Sequence, residues 1–230
     1  MLAESDVYDA KADNYDVLVS REDYQANILP AISQAQALGG VRIVELGAGT
    51  GRLTRLVAHH AQFVHAFDLS HHMLHRARQS WSNELPENIT LAVADSASIP
   101  LANQCADMVL AGWSFCYLAV WGENKWKQRL DAGMAEIKRL LRPGGSAVIL
   151  ETAGTGFETP HPPAHLDAYF EYLYAQGFDY SWIRTDYQFA DLEEAERLSE
   201  FFFGKELALK VWEMNWVILP ECTGIWTLRF

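Results

Sequence analysis

The sequence has little cysteine and little positive charge, and no apolar run in its 230 residues approaches the length of a membrane span. Its three cysteines, Cys105, Cys116 and Cys222, lack Cys-x-x-Cys spacing, which argues against a disulfide framework and a thiolate metal site. Lys and Arg number 18 against 30 Asp and Glu, a formal net charge of -12. Because this charge would repel a phosphate backbone and an anionic bilayer, we expect neither nucleic acid nor membrane as a partner.

The first six residues also lack the basic and apolar segments of a secretory signal, so a cytoplasmic location is expected. Half of the residues are hydrophobic, 21% are charged and 12% are aromatic, proportions that are ordinary for a globular protein. The composition therefore excludes disorder, collagen and coiled coil, and the length favours a single domain.

Short apolar runs alternate with helical spacing between residues 41 and 151. The runs predict strands at 41–46, 63–67, 89–94, 107–112 and 146–151. Helices are predicted after the first run, at 70–81 and at 126–141. Strands joined by helical crossovers are parallel and covered on both faces, so the pattern predicts a doubly wound α/β fold.

The remainder of the chain has weaker signals. A helix is expected from Ser20 to residue 38, with Ser20 as its N-cap, a bend at Pro30 and an end at the glycines 39–40. Glycines and prolines predict an irregular loop, a candidate lid, at 154–163. A helix at 165–176, a β-like stretch at 178–189, a charged helix from residue 191 and a last strand at 224–230 are expected to follow.

The most informative segment is Val44-Glu45-Leu46-Gly47-Ala48-Gly49-Thr50-Gly51-Arg52, between a buried strand and a helix. Alternate glycines let the backbone turn sharply and approach a ligand closely, while the helix N-terminus offers free N–H groups. The dinucleotide fingerprint would place its third glycine at position 52, which is Arg52, and no Gly-Lys-Ser/Thr follows as in a P-loop. The loop predicts a site for a nucleoside-containing cofactor, and a tight turn without a ligand is the alternative.

This spacing, with an acidic residue two places before the first glycine, resembles motif I of the class I S-adenosylmethionine-dependent methyltransferases. The resemblance covers roughly residues 8 to 152 and includes Asp68-Leu69-Ser70-His71-His72-Met73-Leu74 and the turn at 142–145. It implies a seven-stranded, mostly parallel, Rossmann-like sheet with an antiparallel C-terminal strand. The organisation expected is a helical cap at 1–40, a cofactor-binding core at 41–152, and a lid insertion with sheet completion at 153–230.

The resemblance also implies S-adenosylmethionine as cofactor, S-adenosylhomocysteine as its product, and roles for individual residues. The backbone of Gly47, Ala48, Gly49 and Gly51 would shape the loop, Asp68 would bind the ribose, and Leu69 and Met73 would pack on the adenine. Asp95 and Ser96 would bind the adenine edge, Tyr15 and Glu45 the methionine end, and Trp113 would border the methyl group.

Local explanations stay open beside these roles: helix capping for Asp68, a solvated loop for Asp95, a loop strut for Glu45 and packing for Tyr15.

No catalytic side chain follows from the sequence, and His161, His165 and Tyr117 are the candidates that it offers. His71 and His75 lie one helical turn apart, yet no metal is expected because His-Glu-x-x-His spacing and nearby cysteines are absent. The function predicted is in-line methyl transfer to a small-molecule acceptor by a monomer or homodimer. The alternatives are a non-catalytic S-adenosylmethionine-binding regulatory subunit and an NAD-dependent oxidoreductase.

Overall fold

The structure is a computed structural model and describes residues 12–81, 84–120 and 125–230. The chain divides into two compact units. The first, here called the core unit, comprises Leu29–Glu151, Ala164–Ser181 and Gly224–Phe230. The second unit comprises the described residues up to Ile28, together with Thr152–Pro163 and Trp182–Thr223. The single-domain organisation stays a prediction.

A seven-stranded sheet runs in the order β3-β2-β1-β4-β5-β9-β6. The described residues form nine strands, and β7 and β8 pair with each other in a separate two-stranded sheet. The strands are β1 Arg42–Leu46, β2 Phe63–Asp68, β3 Ile89–Val93, β4 Ala106–Gly112, β5 Leu141–Thr155, β6 Asp179–Arg184, β7 Tyr187–Gln188, β8 Ile218–Leu219 and β9 Glu221–Arg229. The pairs β1–β2, β1–β4, β2–β3 and β4–β5 are parallel. The sheet order reverses between β1 and β4, and ligands of open α/β sheets bind at such a point.

The last strand, β9, is antiparallel to β5. The N–H of Phe230 donates to the carbonyl of Gly145 at 2.9 Å, and the N–H of Gly144 donates to the carbonyl of Phe230 at 2.5 Å. The end of β9 therefore lies beside the start of β5. The predicted mostly parallel, seven-stranded sheet with an antiparallel C-terminal strand is confirmed.

The helices of the described residues follow the expected alternation through the core unit. They are α1 Ala12–Arg21, α2 Ile28–Ala35, α3 Arg52–Ala58, α4 His71–Gln79, α5 Tyr117–Val120, α6 Trp126–Leu140, α7 Asp167–Ala175, α8 Leu192–Phe203 and α9 Lys205–Glu213. Helix α6 buries Leu130, Met134 and Ile137, at spacings of four and three residues that bring them onto one face. Strands β1 and β4 are almost continuously buried, because the sheet is covered on both sides.

The N-terminal helix differs from the prediction. Ser20 lies in the last turn of α1, where its hydroxyl donates to the carbonyl of Val17 at 2.7 Å, so it is not an N-cap. The capping side chain is Asp23, whose two oxygens accept the N–H groups of Asn27 and Ile28 at 2.7 and 3.0 Å. Pro30 falls in the first turn of α2, where proline is tolerated, and therefore marks no bend. The prediction of one continuous helix is wrong, because a non-helical segment separates α1 from α2.

The predicted irregular loop is also shorter than expected. Strand β5 continues to Thr155, so residues 154 and 155 are strand and the irregular segment begins at Gly156. Helix α9 follows α8 directly after Gly204 and was not predicted as a separate helix. Among the helices in the described part of the chain, none combines the length and apolar character that crossing a bilayer requires.

Within the second unit, the segment 156–161 is fastened to α9. The ammonium group of Lys210 donates to the carbonyl of Gly156 at 3.0 Å and lies 4.7 Å from the ring centroid of Phe157. The ring of Phe157 stacks on His161 at 4.2 Å. A lid role for this segment stays a prediction, and these contacts imply that the segment and α9 would move together.

The capping assignment can be tested by comparing Asp23→Ala with Ser20→Ala. Asp23 has φ +60°, so alanine loses both capping bonds and takes up an unfavourable backbone conformation. We expect Asp23→Ala to lower the free energy of unfolding by about 2 kcal/mol and Ser20→Ala to change it by less than about 0.5 kcal/mol. Urea denaturation measures both values. Equal effects of the two variants would contradict the assignment.

Candidate active site

The loop between β1 and α3 forms the centre of the candidate site. Its three glycines have positive φ angles, +71° at Gly47, +55° at Gly49 and +81° at Gly51. A Cβ at position 47 would lie 2.3 Å from the Cβ of Ser114, which follows β4, so only glycine fits there. Ser114 in turn donates its hydroxyl to the carbonyl of Leu46 at 2.8 Å. The ends of β1 and β4 are thereby held in contact.

Position 49 differs from position 47, because an added Cβ atom would not clash with a neighbour there. A Cβ there would meet Met73 Cε at 3.7 Å, an ordinary contact distance. Its backbone N–H donates to Asp68 Oδ2 at 2.8 Å. The loop therefore presents open backbone at Gly49, next to a carboxylate at the end of β2.

Asp68 joins this loop to the start of α4. Besides the Gly49 amide, it accepts the N–H of Ser70 through Oδ1 at 2.8 Å. Ser70 itself caps α4 by accepting the N–H of Met73 at 3.3 Å, so the helix does not depend on Asp68 as its N-cap. A carboxylate has about four acceptor positions, so a group of this kind can also accept hydroxyl hydrogens.

Glu45 lies on β1 and is 2% exposed. Its Oε2 accepts the hydroxyl hydrogen of Thr54 on α3 at 2.5 Å. Burial raises the pKa of Glu45 to about 7, against the opposing effect of the Thr54 hydrogen bond, and nearby Asp68 raises it further. The hydrogen bond to α3 is the strut expected as the alternative role, and a role toward a ligand's cationic end stays a prediction.

The residues predicted for the adenine occupy different environments. Met73 is buried beside the loop, whereas Leu69 is 57% exposed. Asp95 follows β3 and accepts the N–H of Ala97 at 2.9 Å, while its other oxygen pairs with Arg129 at 3.2 Å. This is a local turn of the kind that Asp forms readily, and Ser96 lies within it. The ligand roles of these residues stay predictions.

Trp113 is the residue that follows β4. It has φ +48°, which is rare for a residue other than glycine, and its N–H donates to the carbonyl of Leu150 at 2.7 Å. The guanidinium of Arg52 lies 4.3 Å from the centroid of its ring. Strained backbone of this kind concentrates at functional sites. Phe115, two residues further along the chain, is 1% exposed and belongs to the core.

Other predicted residues lie outside this group. Tyr117 begins α5 and is half-buried. His165 is exposed in a short 3-10 helix of the core unit, and His161 is exposed in the second unit. Tyr15 also belongs to the second unit, with its ring 6.0 Å from that of Phe202.

The histidines of α4 show no sign of metal binding. His71, His72 and His75 are exposed, and no metal-holding group of His, Cys, Asp or Glu occurs among residues 12–81, 84–120 and 125–230.

Sequence reasoning missed Glu151, at the carboxyl edge of β5. It is 1% exposed, and its Oε1 accepts the N–H of Cys116 and the hydroxyl hydrogen of Tyr169, both at 3.0 Å. Burial raises the pKa of Glu151 to about 7, opposed by these hydrogen bonds. The signal in the sequence was a single acidic residue after an otherwise apolar run, which resembles an ordinary strand end.

Known proteins resemble this chain most clearly over the core unit. Residues 44–149 match the family model of a methyltransferase domain. Over 106 residues the chain is 31% identical to a malonyl-[acyl-carrier protein] O-methyltransferase of Methylococcus capsulatus, covering 45% of this chain and 34% of that protein. Over 152 residues it is 28% identical to a ubiquinone/menaquinone biosynthesis C-methyltransferase of Burkholderia vietnamiensis, covering 63% and 58%.

A solved structure of an S-adenosylmethionine-dependent methyltransferase from Aquifex aeolicus has the same fold. Its TM-score is 0.55 at 15% identity, with 86% of this chain and 87% of that chain covered. The matched part of the chain spans only 34% to 52% of the length of the first curated relatives.

The buried carboxyl of Glu45 has a consequence for stability. Its pKa is raised in the folded state from 4.5 to about 7, so the folded protein binds more protons than the unfolded chain between these values. The free energy of unfolding must therefore fall as the pH rises from 4.5 to 7. Glu45→Gln should remove up to roughly 3 kcal/mol of this fall, leaving the share due to Glu151.

Urea denaturation at a series of pH values measures the effect. The exposed Glu87→Gln variant is the control and should keep the wild-type slope. A Glu45→Gln protein whose stability still follows the wild-type pH dependence would show that this carboxyl does not titrate as its burial requires.

Proposed function

We propose that the protein binds S-adenosylmethionine and transfers its methyl group to a small organic molecule, since residues 44–149 match the family model of a methyltransferase domain. The observation that carries the proposal is the hydrogen bond from Gly49 N–H to Asp68. It joins an open stretch of backbone to a carboxylate at the carboxyl ends of adjacent strands. A nucleoside cofactor needs both features, one for close approach and one for its ribose hydroxyls.

The residues of the loop fit this cofactor. Position 49 has room for a ligand, and the carboxylate of Asp68 can accept ribose hydroxyls. The backbone of Gly47, Ala48, Gly49 and Gly51 would shape the cofactor loop. We further propose contacts to the adenine from Leu69, Met73, Asp95 and Ser96, to the methionine end from Tyr15 and Glu45, and to the methyl region from Trp113.

When bound, the cofactor would supply a methyl group on a positively charged sulfur for in-line transfer to an acceptor. The protein's own contribution is to align the acceptor with that carbon, and alignment alone can supply about 7 kcal/mol or more of barrier reduction. The carboxylate of Glu45 and the ring of Trp113 would favour a cationic donor over its neutral product. The strained backbone at Trp113 supports its position beside the reacting atoms.

An organic acceptor is supported by the names of two relatives, a malonyl-[acyl-carrier protein] O-methyltransferase and a ubiquinone/menaquinone biosynthesis C-methyltransferase. The net charge of -12 argues against nucleic acid. A cytoplasmic location and a monomeric or homodimeric state are part of the same proposal. Calorimetric titration with S-adenosylmethionine is the primary test, and absence of binding would reject the proposed function.

The ribose role can be tested with Asp68→Ala, using Asp107→Ala as a matched control. Asp107 also accepts a backbone N–H, that of Arg42 at 2.9 Å, but it lies at the opposite edge of the sheet. Asp68→Ala should weaken S-adenosylmethionine binding at least about 10-fold, because hydrogen bonds to a charged acceptor contribute about 1.5 kcal/mol or more each. Asp107→Ala should lower the melting temperature and leave the affinity unchanged. Similar affinity losses in both variants would mean that Asp68 acts only on the fold.

The close approach at Gly49 can be tested with Gly49→Ala, paired with Gly40→Ala. Both glycines have positive φ, +55° and +76°, so alanine costs about 1–2 kcal/mol of stability at either position. Position 40 has nothing within 4 Å of an added Cβ and precedes β1, away from the loop. Gly49→Ala should lose at least about 10-fold in cofactor affinity, or about 1.4 kcal/mol, while Gly40→Ala keeps it. If affinity and melting temperature change equally in the two variants, the glycine serves the turn alone.

A further inference from the structure

Helix α9 of the second unit has apolar side chains on two sides. On one side, Ala208 and Val211 are 4% and 0% exposed, and Val211 packs in the apolar cluster of this unit. On the other side, Leu209 and Trp212 are 61% and 53% exposed, and Met214 just after the helix is 57% exposed. A helix that is apolar all round is expected to be buried all round. The chain therefore covers only one of the two apolar sides of α9.

The exposed side has the composition of a docking surface. A single exposed leucine is ordinary, whereas neighbouring large apolar side chains on a surface mark a site of association. Aromatic residues and methionine are also enriched at interfaces between proteins. Leu209, Trp212 and Met214 lie within six residues of the chain, so they form such a group.

Two charges frame this side symmetrically. Lys205 lies four residues before Leu209, Glu213 lies four residues after it, and both charged side chains are exposed. Residues at spacings of three and four share one face of a helix. The face so defined, here called the α9 face, carries Lys205, Leu209, Trp212 and Glu213.

The α9 face is complementary to a second copy of itself. If two α9 helices pair antiparallel about a two-fold axis at Leu209, Lys205 of each chain comes level with Glu213 of the partner subunit. Two pairs of opposite charges then flank a central contact between the leucines. Such an interface is isologous, because the same surface is used on both chains. A parallel pairing would instead place like charges opposite each other.

The charge of α9 also favours a second copy over a membrane. The helix carries Lys205 and Lys210 against Glu206 and Glu213, so it is neutral within a chain of net charge -12. Two acidic chains repel each other least where their surfaces are locally neutral. An anionic bilayer would be repelled by the rest of the chain and would gain no attraction from a neutral helix.

We propose that the α9 face is the contact surface of a homodimer in which two α9 helices pair antiparallel about a two-fold axis at Leu209. This inference goes beyond the proposed function and does not depend on it. A standard interface buries roughly 800 Å² on each partner, and one short helix offers less. We therefore expect a weak dimer that dissociates on dilution.

Sedimentation velocity of the full chain between about 1 µM and about 1 mM tests the dimer, which should appear as the concentration rises. Leu209→Lys should weaken dimerisation at least about 10-fold, because it places two like charges on the axis. The matched control is Val93→Lys, which changes an apolar residue of the core unit that is 52% exposed. This control should dimerise as the wild-type protein does.

Exchanging the charges tests the antiparallel register. Lys205→Glu or Glu213→Lys alone brings like charges level with each other, so each should weaken dimerisation at least about 10-fold. An equimolar mixture of these two variants should recover the wild-type affinity within about 3-fold, since only the mixed dimer pairs opposite charges. Circular dichroism checks that each variant is folded.

Each outcome decides the proposal. A wild-type chain that stays monomeric up to about 1 mM overturns it. A dimer that survives Leu209→Lys lies on another surface, and a mixture that does not recover rejects the antiparallel pairing. Should Leu209→Lys not fold, oxidation of Leu209→Cys decides, because its two thiols would meet on the axis and form a covalent dimer. Equal yields of covalent dimer from Leu209→Cys and from the exposed Glu193→Cys on α8 would overturn the proposal.

Discussion

The candidate site depends on the close approach between the backbone at Gly47 and the side chain of Ser114. An added Cβ would stand 2.3 Å from Ser114 Cβ, so the loop after β1 and the segment after β4 meet only while position 47 lacks a side chain. This contact determines the course of the loop, which then delivers the Gly49 N–H to Asp68 on the neighbouring strand. The ends of β1, β2 and β4 thus form one constellation, and a change at Gly47 would disturb all three.

Two buried carboxyls flank the central strand of this constellation. Glu45 lies on β1 and Glu151 at the end of β5, the two strands that pair with β4. Burial raises the pKa of each to about 7, so above neutral pH each charge remains in an environment that opposes it. Their partners differ, because Thr54 of α3 bonds Glu45, whereas Cys116 before α5 and Tyr169 of α7 bond Glu151.

The sequence was sufficient where structure is determined locally. Apolar runs predict the parallel strands because burial on both faces excludes alternation, and the alternate glycines predict the loop because its backbone angles admit little else. Helix capping was less predictable: Ser20 and Asp23 both belong to the residue types that cap, and only the break after α1 decides between them. Glu151 could not be recognised, since its burial depends on α7, which follows in the chain and covers it through Tyr169.

The buried acids of the core unit lie toward the carboxyl edge of its sheet. Trp113 has a strained φ angle of +48°, and Glu45 and Glu151 are buried acids. At the opposite edge the acid Asp107 is only partly buried, accepts the Arg42 amide and pairs with the guanidinium of Arg142 at 2.8 Å. Local violations of the rules for stable structure are expected where function requires them. The distribution of buried charge therefore supports a site at the carboxyl edge by an argument that does not use the glycine motif.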